Sequence, residues 1–188
     1  MAVTKHATGR GNFTYEDLRH TPDDGKRYEV LEGELVVSPS PSWKHQRVSR
    51  KLNALLSRAE QEDKGCAVYA PMDVVLSDRE VAQPDLLFIA KERLSIITAE
   101  NVQGAPDLVV EIISEGSRKR DAITKRHIYE RHGVRFYWLG DPEEETVRVF
   151  ELKDGAYSEP VTLYAGQPLT CPLFPGISED VGTLFAQP

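Results

Sequence analysis

Apolar residues recur along this chain at two different periods, and the change of period divides it into elements. Between Trp43 and Glu60, the residues Val48, Leu52, Leu55, Leu56 and Ala59 fall three or four apart. That spacing predicts a helix with one apolar stripe and a charged opposite side. Ser42 is placed to cap its start, and Lys64-Gly65 to close it. Elsewhere the apolar residues run together: Gln83–Ile89, Asp107–Ser114 and Phe136–Leu139 read as strands, the first two dense enough for a sheet covered on both faces. Tyr28–Leu31 and Glu34–Val37 flank Glu32-Gly33, and Val147–Leu152 and Tyr157–Leu163 meet through Asp154-Gly155, so each pair predicts a hairpin.

Shorter signals fill the gaps. Thr14-Tyr-Glu-Asp17 reads as a capping box opening a short helix that Pro22 and Gly25 end. Ala67–Ala70 and Asp73–Leu76 are strands split by Pro71; Lys91–Ile97 is a short helix, and Arg118–His132 a longer one stopped by Gly133. Residues 1–12 are polar and without period, a tail before one domain spanning 13–188. The last segment, with Pro168, Pro172, Pro175 and Gly176, is expected to wrap the outside. The order of elements predicts an α/β or α+β layered domain with a mixed sheet.

At 188 residues and 40% hydrophobic content, the chain can bury one core. No apolar stretch approaches membrane-span length, and the N-terminus lacks a hydrophobic signal core. Cys66 and Cys171 show neither paired nor metal-binding spacing, so a reducing cytoplasm is the expected setting. A net charge of −7 counts against nucleic-acid binding by bulk electrostatics. The basic residues are clustered, however, around Lys44, Arg47, Arg50 and Lys51, and again from Arg118 to Arg126. They read either as solvated helix faces or as a basic rim on an acidic site. On the second reading Lys44, Arg47, Arg118 and Lys119 are candidate nucleic-acid contacts.

Two carboxylates interrupt the dense strands: Asp85 near the start of one and Glu111 in the middle of the other. A charged group among apolar neighbours needs a cationic partner, because desolvation alone costs several kcal/mol or forces it neutral. Neighbouring strands lie roughly 5 Å apart, so the two acids can share a divalent ion, with oxygen ligands suited to Mg²⁺ or Mn²⁺. The plainer alternatives are a strand-start cap for Asp85 and a structural ion pair for Glu111. Asp121, Lys125 and Tyr129 lie four apart on the following helix, forming either a surface Asp–Lys pair or a lysine leaning back over the metal. Glu29, Glu32 and Glu34 in the first hairpin and His45 at the start of the long helix are supporting candidates, and otherwise solvated turn and helix-start residues. No nucleophile elbow, phosphate loop or His-Glu-x-x-His helix is present. Phosphodiester hydrolysis is the expected chemistry.

With these residues in view, the chain resembles the Uma-two family of restriction-endonuclease-like proteins, a branch of the PD-(D/E)XK nuclease superfamily. The resemblance rests on Tyr28-Glu-Val-Leu-Glu-Gly-Glu34, Ser38-Pro-Ser-Pro41 with His45, Gln83-Pro-Asp85, Ala105–Ser114, Asp121 with Lys125 and Tyr129, and Gly133–Trp138, in that order. It implies a central mixed sheet flanked by helices, with Asp85 and Glu111 as the two acids. The superfamily's lysine normally lies two residues after the second acid, where this chain has Ile113; the resemblance moves that role to Lys125. It implies a Mg²⁺-dependent DNA endonuclease supported by Glu34, His45, Asp121 and Tyr129. A homodimer would suit double-strand cutting, with Trp43 or the C-terminal hairpin as candidate contacts. The alternatives are an inactive nucleic-acid-binding or assembly module that keeps the fold, and a metal-dependent phosphohydrolase on small nucleotides.

Overall fold

The computed structural model describes residues 11–38, 40–114, 116–118 and 120–187; nearly all of the expected N-terminal tail, and Lys119, lie outside them. In chain order come α1 (Tyr15–Leu18), β1 (Arg27–Leu31), β2 (Glu34–Ser38), α2 (Trp43–Gln61), β3 (Gly65–Tyr69), β4 (Val74–Ser77) and β5 (Glu80–Ala82). Then follow β6 (Leu86–Ala90), a 3₁₀ turn (Lys91–Ile96), β7 (Val102–Gln103), β8 (Leu108–Ile112), a π-helical segment (Arg120–Lys125) and α3 (Arg126–Arg131). The last part holds β9 (Phe136–Asp141), β10 (Thr146–Lys153), β11 (Ala156–Tyr157), β12 (Val161–Leu163), β13 (Pro168–Thr170), β14 (Ser178–Asp180) and α4 (Val181–Phe185).

The central sheet runs β11-β10-β9-β8-β6-β3, with β12 also paired to β10. It is mixed because β8 and β9 are parallel while β6 pairs antiparallel with β8. A parallel pair needs a crossover, and the π-helical segment with α3 supplies it. The first hairpin does not stand alone: β2-β1-β5-β4-β7 form a second sheet, whose full extent the sequence pattern did not announce. Its turn follows from Glu32 and Gly33 at φ 54 and 75, the left-handed pair that a two-residue hairpin demands.

Alternation along β8 assigns each face. Leu108, Val110 and Ile112 join the apolar layer with Val48, Leu52, Leu55, Leu56 and Ala59 of α2. Val109 and Ile113 join the layer with Ile128, Tyr129 and Tyr137, and Glu111 shares their parity. The C-terminal segment does not wrap the outside as expected. Leu169, Cys171, Phe174, Ile177, Val181, Leu184 and Phe185 are buried in the α2 layer. Its prolines and glycines interrupt any period, yet most apolar residues between them are seated in the core, with Leu173 partly buried against it.

Candidate active site

Asp85 lies one step before Leu86, which pairs with Val110, so register sets it across from Glu111. It is buried, and its oxygens are taken by three donors. Arg27 Nη1 donates to Oδ1 at 2.9 Å, while the Ile112 amide donates to Oδ2 at 2.9 Å and His45 Nε2 lies 2.9 Å from that same oxygen. Burial pushes the carboxyl's pKa up, but the hydrogen bonds and charges of His45 and Arg27 outweigh it and hold the group down to about 2. Because Asp85 is an acceptor, Nε2 of His45 carries a proton toward it; Nδ1 of that ring is buried and has no partner among the described residues.

Glu111 faces the layer of Ile128, Tyr129 and Tyr137. Lys125 Nζ donates to its Oε1 at 2.8 Å, and the Tyr129 hydroxyl donates to the same oxygen at 2.6 Å. Lys125 also meets Glu29 Oε1 at 2.8 Å and Asp121 Oδ1 at 4.0 Å, with all four side chains buried. Glu29 accepts in addition from the Gln83 amide at 2.8 Å. Burial is the main cause that pushes Glu111 up to about 8; Lys125 opposes it, and Asp121, Asp85 and Glu29 reinforce it. Burial likewise raises Asp121, while burial of Lys125 is overcome by its acidic neighbours, which raise it.

The local backbone explains how the lysine reaches the strand. A plain α-helix was expected over Arg118–His132; instead residues Arg120–Lys125 are π-helical and only Arg126–Arg131 are α-helical. Such wide turns recur at functional sites, and here the turn carries Asp121 and Lys125 inward, with Tyr129 following on α3. The Asp121–Lys125 pair is therefore a buried contact rather than the surface pair its spacing equally allowed.

Two spaces adjoin these residues. A small cavity of about 30 Å³ is lined by Asp85, Glu111, Asp121 and Lys125, room for a water or an ion. A cleft of about 650 Å³ opens beside it, and both are bounded by Arg27, Ser38, His45, Gln83 and Asp85. The cluster thus sits at the inner end of an open groove.

Other expected residues fall elsewhere. Glu34 is exposed at the hairpin turn and lines neither space; Glu29, on the neighbouring strand, is the hairpin acid that meets Lys125. Arg47 is no surface contact, because it is buried and donates to the Phe185 carbonyl, binding α2 to α4. Lys44 pairs at 2.9 Å with Glu143, in the turn after β9, and Arg118 at 2.5 Å with Asp141, the last residue of β9. Lys119 lies outside the described residues. Besides Lys125, the small cavity is lined by the arginines Arg27 and Arg120. Their signal was faint: Arg27 opens a hairpin strand, and Arg120 belonged to the basic cluster from Arg118 to Arg126 without being singled out in it.

A mixed sheet with an acid on each of two adjacent segments, a lysine beside the second acid and helices on both faces defines the restriction-endonuclease-like class. The chain belongs to the Uma2 family, described as "Putative restriction endonuclease", whose profile matches residues 14–182. Among solved structures, a protein from Anabaena variabilis described as "a putative nuclease belonging to DUF820" superposes with a TM-score of 0.78 at 19% identity, over 92% of this chain and 97% of that one. At that identity the likeness speaks for the fold. None of the curated proteins compared matches the chain. Among the described residues, no helix is long and apolar enough to cross a membrane.

Proposed function

We propose that this protein is a divalent-metal-dependent endonuclease that hydrolyses DNA phosphodiester bonds at the Asp85–Glu111–Lys125 cluster. The observation that carries the reading is the convergence of these side chains, from three separate segments, on one small cavity at the inner end of a cleft. Membership of a restriction-endonuclease family supports it.

The residues fit a hard cation. Four carboxylates (Glu29, Asp85, Glu111 and Asp121) meet three fixed cations, Arg27, Arg120 and Lys125, around one small space, and burial is the main cause that raises Glu111, with the neighbouring acids reinforcing it. Asp85 and Glu111 would hold Mg²⁺ or Mn²⁺. Among the described residues no three His, Cys, Asp or Glu side chains form a ready metal cluster. Water and a substrate phosphate would complete the shell, as is usual for Mg²⁺. When bound, the ion supplies an activated water and neutralises charge on the phosphate.

The chain's own groups do the rest. Lys125, with its pKa raised by three acids, stays protonated; it steadies Glu111 and offsets phosphate charge rather than accepting a proton. Tyr129 fixes the Glu111 carboxylate through Oε1. Arg27 spends one donor on Asp85 and, lining both spaces, has others to offer a phosphate. His45 and the Ile112 amide orient Asp85. A homodimer, each copy cutting one strand, belongs to the same proposal.

The test is cleavage of supercoiled plasmid with Mg²⁺, with and without chelator. Glu111→Gln should lower the rate about 10²–10³-fold, and chelation should abolish it. Equal cutting by the variant would remove the site from consideration. The cleft volume is also that of a small-ligand pocket, so single nucleotides belong in the same assay.

A further inference from the structure

The cleft has a composition that the hydrolytic cluster does not use. Tyr69, at the end of β3, is 65% exposed and lines it, with no aromatic neighbour and no hydrogen bond to its hydroxyl among the described residues. A tyrosine ring left bare at the mouth of a groove gives up the burial that usually stabilises it. Opposite it, α2 turns Gln46, Ser49 and Asn53 into the same space. These residues stand three and four apart, along the flank of the helix beside its apolar stripe. None of their side chains hydrogen-bonds to a described residue. Arg50, exposed beside them and lining the cleft, makes no ion pair among the described residues.

A flat aromatic face, a row of unpartnered amide and hydroxyl groups and a free guanidinium form a set with one natural ligand. Bases stack on aromatic rings whatever their sequence, and amides read base edges, while arginine meets the backbone phosphate. Stacking selects the strand state, since a ring reaches the face of a base only where that base is unpaired and splayed out. About 650 Å³ lies in the range of pockets that take one small molecule, enough for an unpaired nucleotide.

We infer that this cleft is a subsite for single-stranded DNA, in which an unpaired base next to the scissile phosphate stacks on Tyr69 while Arg50 holds a neighbouring phosphate. The substrate class is then a DNA strand that is unpaired, or locally opened, on one side of the cut. This rests on the nuclease reading for the reason a strand enters the cleft, but binding can be measured without cleavage.

The experiment titrates the full chain, in chelator, into a single-stranded oligonucleotide carrying one 2-aminopurine, whose fluorescence falls on stacking, and into the matching duplex. Wild type and Tyr69→Phe should quench the probe equally. Tyr69→Ala should bind about 5-fold to 100-fold more weakly, the range for losing one stacked base, and without quenching. Arg50→Gln should weaken binding and reduce the slope of log affinity against log salt by about 0.7, one phosphate's worth on a single strand. Both residues are exposed, so the variants should fold, and circular dichroism checks that they do. The inference is overturned if wild type does not bind the single strand, if Tyr69→Ala binds and quenches like wild type, or if the duplex binds more tightly than the single strand. If plasmid is cut and depends on Glu111 while binding ignores Tyr69, the nuclease reading stands and this one falls. If binding depends on Tyr69 and nothing is cut, the reverse holds.

Discussion

The two faces of β8 differ as much as any two parts of this molecule. Toward α2 the strand offers Leu108, Val110 and Ile112 to an apolar layer closed by α2 and the C-terminal segment. Toward α3 it offers Val109, Glu111 and Ile113, and among them lie Glu29, Asp121 and Lys125, all buried. One face is built from transfer free energy alone. The other holds charges whose desolvation their mutual attraction barely offsets. A sheet carries such a burden only where apolar packing around it supplies the stability, and here the α2 side is packed from apolar residues while the α3 side seats ionisable groups among its apolar ones.

The sharpest way to break the comparison is Lys125→Met. It leaves Glu29 and Asp121, and Glu111 wherever it is ionised, buried without their shared cation, and should cost about 3–5 kcal/mol in urea unfolding. A smaller loss would mean that these acids are neutral or better solvated than the geometry implies. On the apolar face Leu52→Ala should cost about 2–5 kcal/mol. Activity per folded molecule should stay at the wild-type level, separating anchorage from chemistry.

The apolar face was the legible one. The stripe from Val48 to Ala59 and both hairpin turns could be read directly, because burial and left-handed turns leave periodic or compositional marks. Asp85 and Glu111 stood out for the opposite reason, as polar residues inside apolar runs. Glu29 did not, because a hairpin glutamate looks the same whether it points to solvent or to Lys125. Arg47 was misread as a surface charge, since a helix-face pattern cannot foresee a carbonyl arriving from Phe185. Nor could spacing distinguish a π-helical turn from an α-helical one, which decides whether Asp121 and Lys125 are buried.

Smaller perturbations sharpen the contrast. Tyr129→Phe removes one hydrogen bond to Glu111 and should cost about 1–3 kcal/mol. Protons give a further readout. Folded Glu111 keeps its proton to about pH 8, against 4.5 ordinarily, so the folded chain binds more protons in that window and stability should fall as pH rises through it. Asp85, held near 2 against 3.8, acts in the other sense: its stabilisation is present above about pH 4 and lost as pH falls toward 2. Denaturation at a series of pH values should show the first slope, at most about 1.4 kcal/mol per pH unit, and Glu111→Gln should flatten it. At the rim, Lys44→Ala, which breaks only an exposed pair with Glu143, should change stability by less than about 0.5 kcal/mol.

The bond from the Ile112 amide to Asp85 has a genetic consequence. Its donor belongs to the main chain, so no substitution by an ordinary side chain can delete it; only proline, which lacks the N–H, would. Codon 112 is therefore free to drift among apolar residues that fill the α2 layer, while the aim of the neighbouring acid is inherited unchanged.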